Sequence, residues 1–130
     1  MYPYTTIVTC LAVALYFFFA LQVARARARY GVKLPAITGN ADFERIYRIQ
    51  VNAVEWAPIF LPSLWLCAIY LGDAVAALIG AVGVIGRIVY FLGYREAVPK
   101  RTPGFAIQAL ACTVLWIGAL GGAAWRLVHG

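Results

Sequence analysis

The sequence predicts an all-α integral membrane protein, built as a bundle of four transmembrane helices. Of its 130 residues, 64% are hydrophobic and 12% are charged. A soluble domain of this size could not bury that much apolar surface in a core of its own. Four apolar stretches each approach the ~20 residues needed to cross a hydrocarbon layer. They use nearly the whole chain, so residues 1–130 form one domain in contact with the lipid bilayer.

The predicted helices are separated by turn-forming residues. Pro35 and Gly39 indicate a loop after the first helix, and Asp42 is the expected N-cap of the second helix. The dipeptide at 72–73 predicts a very short turn, which makes the second and third helices antiparallel neighbours. The predicted spans are residues 4–30, 43–71, 74–94 and 104–127.

Two features modify the helices themselves. Pro58 and Pro62 lie inside the second helix and predict a kink there. Gly80, Gly83 and Gly86 recur on the third helix and predict close packing against its neighbours.

The basic residues predict how the chain is oriented in the membrane. Those near the first and third loops are Arg25, Arg27, Arg29, Lys33, Arg45, Arg48, Arg95, Lys100 and Arg101. Only Arg126 lies at the other end. The positive-inside rule therefore places loops 1 and 3 in the cytoplasm, in a bacterial inner membrane or a membrane of the endoplasmic-reticulum type.

The composition also argues against other classes of protein. The net charge of +6 does not indicate a nucleic-acid partner, because the basic residues gather at helix ends and do not cover a face. The single histidine, His129, is at the C-terminus, and the three cysteines form no CxxC pair. No metal site is therefore expected. The N-terminus has no basic residue before its apolar run, so we interpret it as a span, not a signal peptide.

Polar residues cluster in the membrane-embedded parts of the second and third helices. Such residues cost ~2.5 to 3.5 kcal/mol each on insertion scales, and they are usually functional or paired. Arg48, Asn52 and Glu55 are spaced i, i+4 and i+7, which places them on one helix face. The third helix repeats the pattern.

Arg87, Tyr90 and Tyr94 are spaced i, i+3 and i+7. Both stripes lie far from the 72–73 turn, so they can face each other at the cytoplasmic end, with Arg101 in the following loop. This set of groups suits a small zwitterion that carries carboxylates. The alternative is purely structural: Glu55 forms a salt bridge to Arg48 or Arg87 and locks the bundle, Asn52 is satisfied across helices, and the tyrosines belong to an interfacial belt.

The residues that carry these stripes resemble a known family. The run 43–55, FERIYRIQVNAVE, followed by Pro58-Ile59-Phe60, is similar to the signature of the membrane-associated proteins in eicosanoid and glutathione metabolism (MAPEG). The run 86–94, GRIVYFLGY, is similar to the second block of the same family. The resemblance covers the whole chain and is closest to the branch of microsomal glutathione transferases and leukotriene C synthase.

The resemblance implies a homotrimer that binds glutathione as co-substrate between neighbouring subunits, while a lipophilic electrophile enters from the bilayer. By matching position, it implies that Gln50 and Arg27 reach the glutathione of a neighbouring subunit. Arg101 matches the arginine beside the glutathione sulfur and is the implied catalytic residue. The implied glutathione-binding residues are Arg27, Arg48, Gln50, Asn52, Glu55, Trp56, Tyr90 and Tyr94.

Two positions depart from the leukotriene synthase pattern. Trp56 stands where that pattern has tyrosine, so one phenolic hydrogen bond is missing or replaced. Ala28 stands where the synthase has a second arginine, directly after the position of Arg27. These departures count against leukotriene synthesis as the specific reaction.

The function indicated is a membrane glutathione transferase, with glutathione peroxidase activity toward lipid hydroperoxides as a possible second reaction. One alternative is a non-catalytic lipid-binding scaffold resembling the family's lipoxygenase-activating member, which lacks the arginine at the position of Arg101. The other is a proton-coupled multidrug exporter that uses Glu55. Such a carrier needs a carboxylate free to titrate, whereas Arg48 and Arg87 near Glu55 would hold it ionised.

Overall fold

The structure, a computed structural model, describes residues 1–130 and contains four long α-helices and no strand. Helix α1 spans Pro3–Tyr30, α2 spans Ala41–Leu71, α3 spans Asp73–Tyr94 and α4 spans Thr102–His129. A short 3₁₀ helix, Val98–Arg101, leads directly into α4. The predicted four-helix membrane bundle is confirmed, and each helix boundary lies within about two residues of the predicted one.

All four helices are long and apolar enough to cross a membrane. At 1.5 Å per residue, the 31 residues of α2 extend roughly 46 Å, well beyond the ~30 Å hydrocarbon layer. Large apolar side chains cover the outside of the bundle, with Phe17, Leu78 and Leu110 each about two-thirds or more exposed. Such a surface is stable only against lipid or another apolar chain.

The start of α2 differs from the prediction. Asn40, not Asp42, is the N-cap, because its side-chain oxygen accepts a hydrogen bond from the backbone N–H of Phe43 at 3.0 Å. Asp42 lies in the first helical turn, where its carboxylate pairs with Arg45 and interacts favourably with the positive end of the helix dipole. Helix α2 then continues through Pro58 and Pro62 without a break.

The connection between α2 and α3 is a single residue. Gly72 has a φ of 110°, in a region that side chains disfavour, and Asp73 already begins α3. The Asp73 carboxylate accepts backbone N–H groups of Tyr4 and Thr5 at 3.0 and 2.8 Å. These bonds attach the start of α1 to the start of α3, at the end of the bundle that lies opposite loops 1 and 3.

Helix α3 is packed closely between α2 and α4. A Cβ at Gly80 would lie 2.6 Å from Leu64, and one at Gly86 would lie 2.7 Å from the backbone nitrogen of Gln108. An approach as close as any other in the structure is at Gly104 of α4, where an added Cβ would meet the backbone nitrogen of Tyr90 at 2.1 Å. The packing expected from the α3 glycines is therefore present, and it fixes α4 against the polar half of α3.

Substitution of Gly104 tests this contact. Gly104→Ala forces the start of α4 away from Tyr90, and we expect it to destabilise the folded protein by about 1–3 kcal/mol, the usual cost of overpacking. Gly121→Ala is the matched control, because no atom lies within 4 Å of the added methyl group there. Thermal unfolding in one detergent measures both, and equal melting temperatures would contradict the close approach.

Candidate functional site: the polar end of the bundle

The polar halves of α2 and α3 meet at the end of the bundle covered by loop 1 and the 3₁₀ helix. A cavity of about 370 Å³ opens there. This volume falls in the usual range for small-molecule sites. Its lining includes Arg48 from α2 and Tyr94 from α3, both expected from the sequence. The other lining residues are Ile37, Thr38, Ala41, Glu44, Arg45, Tyr47 and Val98.

Arg48 carries the unpaired positive charge at this cavity. Arg45, one turn away, is paired with Asp42 and also donates from Nε to the carbonyl of Arg95 at 3.3 Å. Glu44 accepts a hydrogen bond from the backbone N–H of Gly39 at 3.2 Å. Arg48 is exposed and makes no ion pair within the chain. An anionic ligand group entering the cavity would therefore meet an available guanidinium.

Asn52 is oriented by a buried arginine. Nη1 of Arg87 donates to Oδ1 of Asn52 at 2.7 Å, across the α2–α3 contact. A hydrogen bond to a charged donor is among the stronger ones in proteins. Because the side-chain oxygen of Asn52 is bonded to Arg87, the amide nitrogen of Asn52 points away from Arg87 and can donate to another group.

The two tyrosines of α3 lie between two arginines. The Cζ atom of Arg87 is 4.7 Å from the ring centre of Tyr90, and the rings of Tyr90 and Tyr94 meet edge to face at 5.4 Å. The Cζ atom of Arg101 is 5.8 Å from the ring centre of Tyr94. These distances suit cation–π contacts. The structure thus places Arg101 next to the tyrosine stripe at the edge of the cavity.

Arg101 itself is exposed at the end of the 3₁₀ helix. Its Nη1 donates to the carbonyl of Val98 at 2.9 Å, which fixes the side chain against its own turn. The neighbouring Lys100 is paired with Glu96 at 3.0 Å, and this hydrogen bond lowers the pKa of the Glu96 carboxyl. Of these two adjacent cations, only Arg101 is free of a carboxylate partner.

The remaining predicted residues lie outside the cavity within one chain. Glu55 is exposed and makes no ion pair, so the salt bridge to Arg48 or Arg87 considered above is not formed. Gln50 is half-buried. Trp56 packs edge-on against Phe105 at 5.4 Å. The single subunit therefore leaves part of the polar face of α2 uncovered.

Arg27 is held by loop 1 of its own chain. Its Nη1 donates to the carbonyl of Ala36, and its Cζ atom lies 4.9 Å from the ring centre of Phe43. The guanidinium has further N–H donors beyond this bond.

Sequence reasoning missed one polar residue at the centre of the bundle. Gln108 on α4 is 2% exposed and lines a small cavity together with Arg87, Tyr16 and Trp56. The sequence alone could have pointed to Gln108, because it is the only side-chain amide in the fourth span and an amide at membrane depth is costly. The cavity residue Thr38 was missed because loop 1 had no predicted conformation, and Glu44 and Tyr47 were missed because the cavity that they line is formed partly by that loop.

Comparison with known proteins identifies the family. The model of the MAPEG family matches residues 5–121. An uncharacterized protein of Synechocystis sp. is 49% identical over 121 residues, which cover 93% of this chain and 88% of that protein. Human microsomal glutathione S-transferase 2 is 44% identical over 105 residues, covering 80% of this chain and 71% of the relative. Leukotriene C4 synthase of Cavia porcellus is 42% identical over 115 residues, covering 88% and 77%.

The chain belongs to the MAPEG family, as its matched length and these identities show. Together with its four apolar helices, this makes it a multi-pass membrane protein.

The Arg87–Asn52 bond can be tested by a double-mutant cycle. Asn52→Leu removes the side-chain oxygen that accepts from the buried guanidinium of Arg87. We therefore expect the free energy of unfolding to fall by about 1–3 kcal/mol. In the double variant, Arg87→Met also removes the unpaired buried charge, and the free energy of unfolding should recover much of that loss. Unfolding in a denaturing detergent measures all four proteins, and strictly additive effects would contradict a direct bond.

Proposed function

We propose that the protein is a membrane-bound glutathione transferase that conjugates glutathione to lipophilic electrophiles. The observation that carries this proposal is the position of Arg101 beside Tyr94, at the edge of the cavity lined by Arg48. Its support at the family level comes from relatives that include microsomal glutathione S-transferase 2. Glutathione presents two carboxylates, one ammonium group, two amides and one thiol, and the polar end of the bundle offers complementary groups for these.

Each side chain has a role set by its chemistry. The guanidinium of Arg48 binds a carboxylate of the tripeptide, and the amide nitrogen of Asn52 donates to an amide carbonyl or carboxylate. Glu55 accepts from the ammonium group. Tyr90 and Tyr94 present phenolic hydroxyls, and Trp56 contributes an apolar wall where the family's synthases have tyrosine.

Arg101 stabilises the thiolate form of glutathione. A free thiol has a pKa near ~8.5, so only a small fraction is ionised at neutral pH. A guanidinium close to the sulfur favours the anion and lowers that pKa, each unit being worth ~1.36 kcal/mol. The thiolate then attacks the electrophilic carbon. A sulfur–carbon bond forms, and the electron pair leaves with the leaving group or moves into the conjugated system.

The proposed assembly is a homotrimer. Arg48 and Glu55 are exposed charges on the same helix, and Gln50 is half-buried beside them. Charged groups in a membrane helix are costly when they face lipid. A neighbouring subunit would cover this face of α2, while Gln50 and Arg27 would contact the neighbour's glutathione. Arg27 would do so with the donors that Ala36 leaves free.

The lipophilic substrate would approach from the bilayer. The outer surface of the bundle has a groove of about 500 Å³ between α1 and α3 that is lined only by apolar side chains, which is compatible with such an approach. Peroxidase activity toward lipid hydroperoxides would use the same thiolate. Its attack on the terminal peroxide oxygen forms a sulfur–oxygen bond and breaks the O–O bond, the lipid leaves as an alcohol, and a second glutathione reduces the resulting sulfenic acid to glutathione disulfide with release of water. Loops 1 and 3 face the cytoplasm in this proposal, in a bacterial inner membrane or an endoplasmic-reticulum-type membrane.

The two alternatives have less support. A lipid-binding scaffold has no use for an arginine free of carboxylates at the position of Arg101. A proton-coupled exporter requires a carboxylate that can titrate. The sequence suggested that neighbouring arginines would hold Glu55 ionised, but Glu55 is exposed and unpaired, so this argument against an exporter no longer applies. The argument against an exporter rests instead on the family to which the chain belongs.

Arg101→Ala tests the catalytic role. We expect turnover of conjugation with a soluble aryl halide to fall roughly a hundredfold, the usual loss of one electrostatic stabiliser, while the affinity for glutathione changes little. Lys100→Ala is the matched control, since it removes an adjacent cation that is paired with Glu96. An unchanged turnover in Arg101→Ala would remove the proposed role.

Arg48→Ala tests ligand binding. Loss of a charge-assisted hydrogen bond worth ~1.5–3 kcal/mol should weaken glutathione binding about tenfold or more, as measured by calorimetry. Arg29→Ala is the control because Arg29, in the last turn of α1, stacks on Tyr30 away from the cavity. Equal affinities of the two variants would exclude Arg48 from the site.

A further inference from the structure

A second polar centre lies deeper in the bundle than the cavity lined by Arg48. Arg87 is 6% exposed, and no carboxylate is paired with it. Its Nη1 donates to Asn52, but the buried Nη2 has no acceptor among the protein atoms. A buried charged donor without an acceptor carries a large desolvation cost.

Gln108 presents a second unsatisfied donor in the same region. Its side chain is 98% buried, and its Oε1 accepts only a long contact of 3.9 Å from Sγ of Cys112. Its Nε2 has no protein acceptor. Two such donors, on facing positions of α3 and α4, are unusual in one small protein, because most buried polar groups are satisfied.

Both side chains line one small cavity of about 10 Å³. This is about the space that a single water molecule needs. The cavity lies between α1, α2, α3 and α4, with Tyr16, Trp56 and Phe60 among its walls. Apart from Arg87 and Gln108, the phenol of Tyr16 and the indole of Trp56 are the only polar side chains in the lining, and each has an N–H or O–H to donate.

We propose that this cavity is a binding site for one small hydrogen-bond acceptor that bridges Nη2 of Arg87 and Nε2 of Gln108. Two sources share this chemistry: a water molecule and a halide ion. The donor-rich lining and the uncompensated charge favour a halide such as chloride, and the small volume favours water. Neither Arg87 nor Gln108 lines the cavity at the polar end, so binding of this acceptor can be tested in the absence of glutathione.

The bound acceptor links α3 to α4 and neutralises or solvates the charge that orients Asn52. Removal of this acceptor should therefore lower the melting temperature of the protein. Gln108→Leu eliminates one donor and fills part of the cavity, whereas Gln108→Glu supplies an acceptor of its own that can pair directly with Arg87. The two variants thus separate loss of the ligand from loss of folding.

The experiment is a structure of the detergent-purified protein from crystals grown in bromide, together with melting temperatures in chloride and in gluconate at equal ionic strength. A halide predicts an anomalous peak between Arg87 and Gln108, and a higher melting temperature in chloride for the unaltered protein that is lost in Gln108→Leu. Water predicts a density peak at the same point without anomalous signal, and no dependence on the anion.

Thr113→Val is the matched control on α4. Thr113 is exposed and bonds to its own helix at Ala109, so this variant should keep the density peak and any response to chloride. Gln108→Glu should melt at the same temperature in both salts. The proposal is overturned if no density lies in the cavity, or if the Gln108 amide is reversed so that its oxygen accepts directly from Nη2 of Arg87.

Discussion

The buried guanidinium of Arg87 and its hydrogen bond to Asn52 connect the parts of this structure. A cation inside a membrane bundle is costly, and such residues face the bundle interior, where other polar groups can contact them. Here α2 provides Asn52 and α3 provides the ring of Tyr90. Gln108 of α4 and Tyr16 of α1 line the same cavity. The need to surround this charge determines which faces of the four helices point inward at this level.

The same interaction joins the interior of the bundle to the cavity at its polar end. Arg87 orients Asn52 on one side and stacks on Tyr90 on the other, and Tyr90 contacts Tyr94, which borders the cavity. Close packing at Gly104 prevents α4 from separating at this level. Residues proposed to hold glutathione therefore rest on rigid helices, and only Arg101 and loop 1 come from short connecting segments. Pre-organisation of this kind is what stabilisation of a thiolate requires.

Much of the fold could be predicted from the sequence, because apolar runs of membrane-spanning length and turn residues such as Gly72 leave few other arrangements. The same holds for the α2 and α3 stripes, since i, i+4 and i+7 spacing fixes a common face. What the sequence left open was the choice between competing polar partners. Asn40 and Asp42 could both cap α2, and the local bond from Phe43 to Asn40 starts the helix two residues earlier than expected. Arg87 could meet Glu55 or Asn52 across the helix contact, and it bonds to Asn52. The roles proposed for Arg27 and Gln50 would need a neighbouring subunit, so contacts within one chain do not display them.

In the proposed function, the polar end of the bundle binds glutathione and ionises its thiol. This is tested by the ultraviolet difference absorbance of the thiolate when glutathione is titrated into the detergent-purified protein near neutral pH. We expect a signal that saturates with glutathione and is absent when the thiol is replaced by a methylthio group. Binding without a thiolate signal would contradict thiol activation and favour the scaffold, and no binding at all would contradict the assignment of the site.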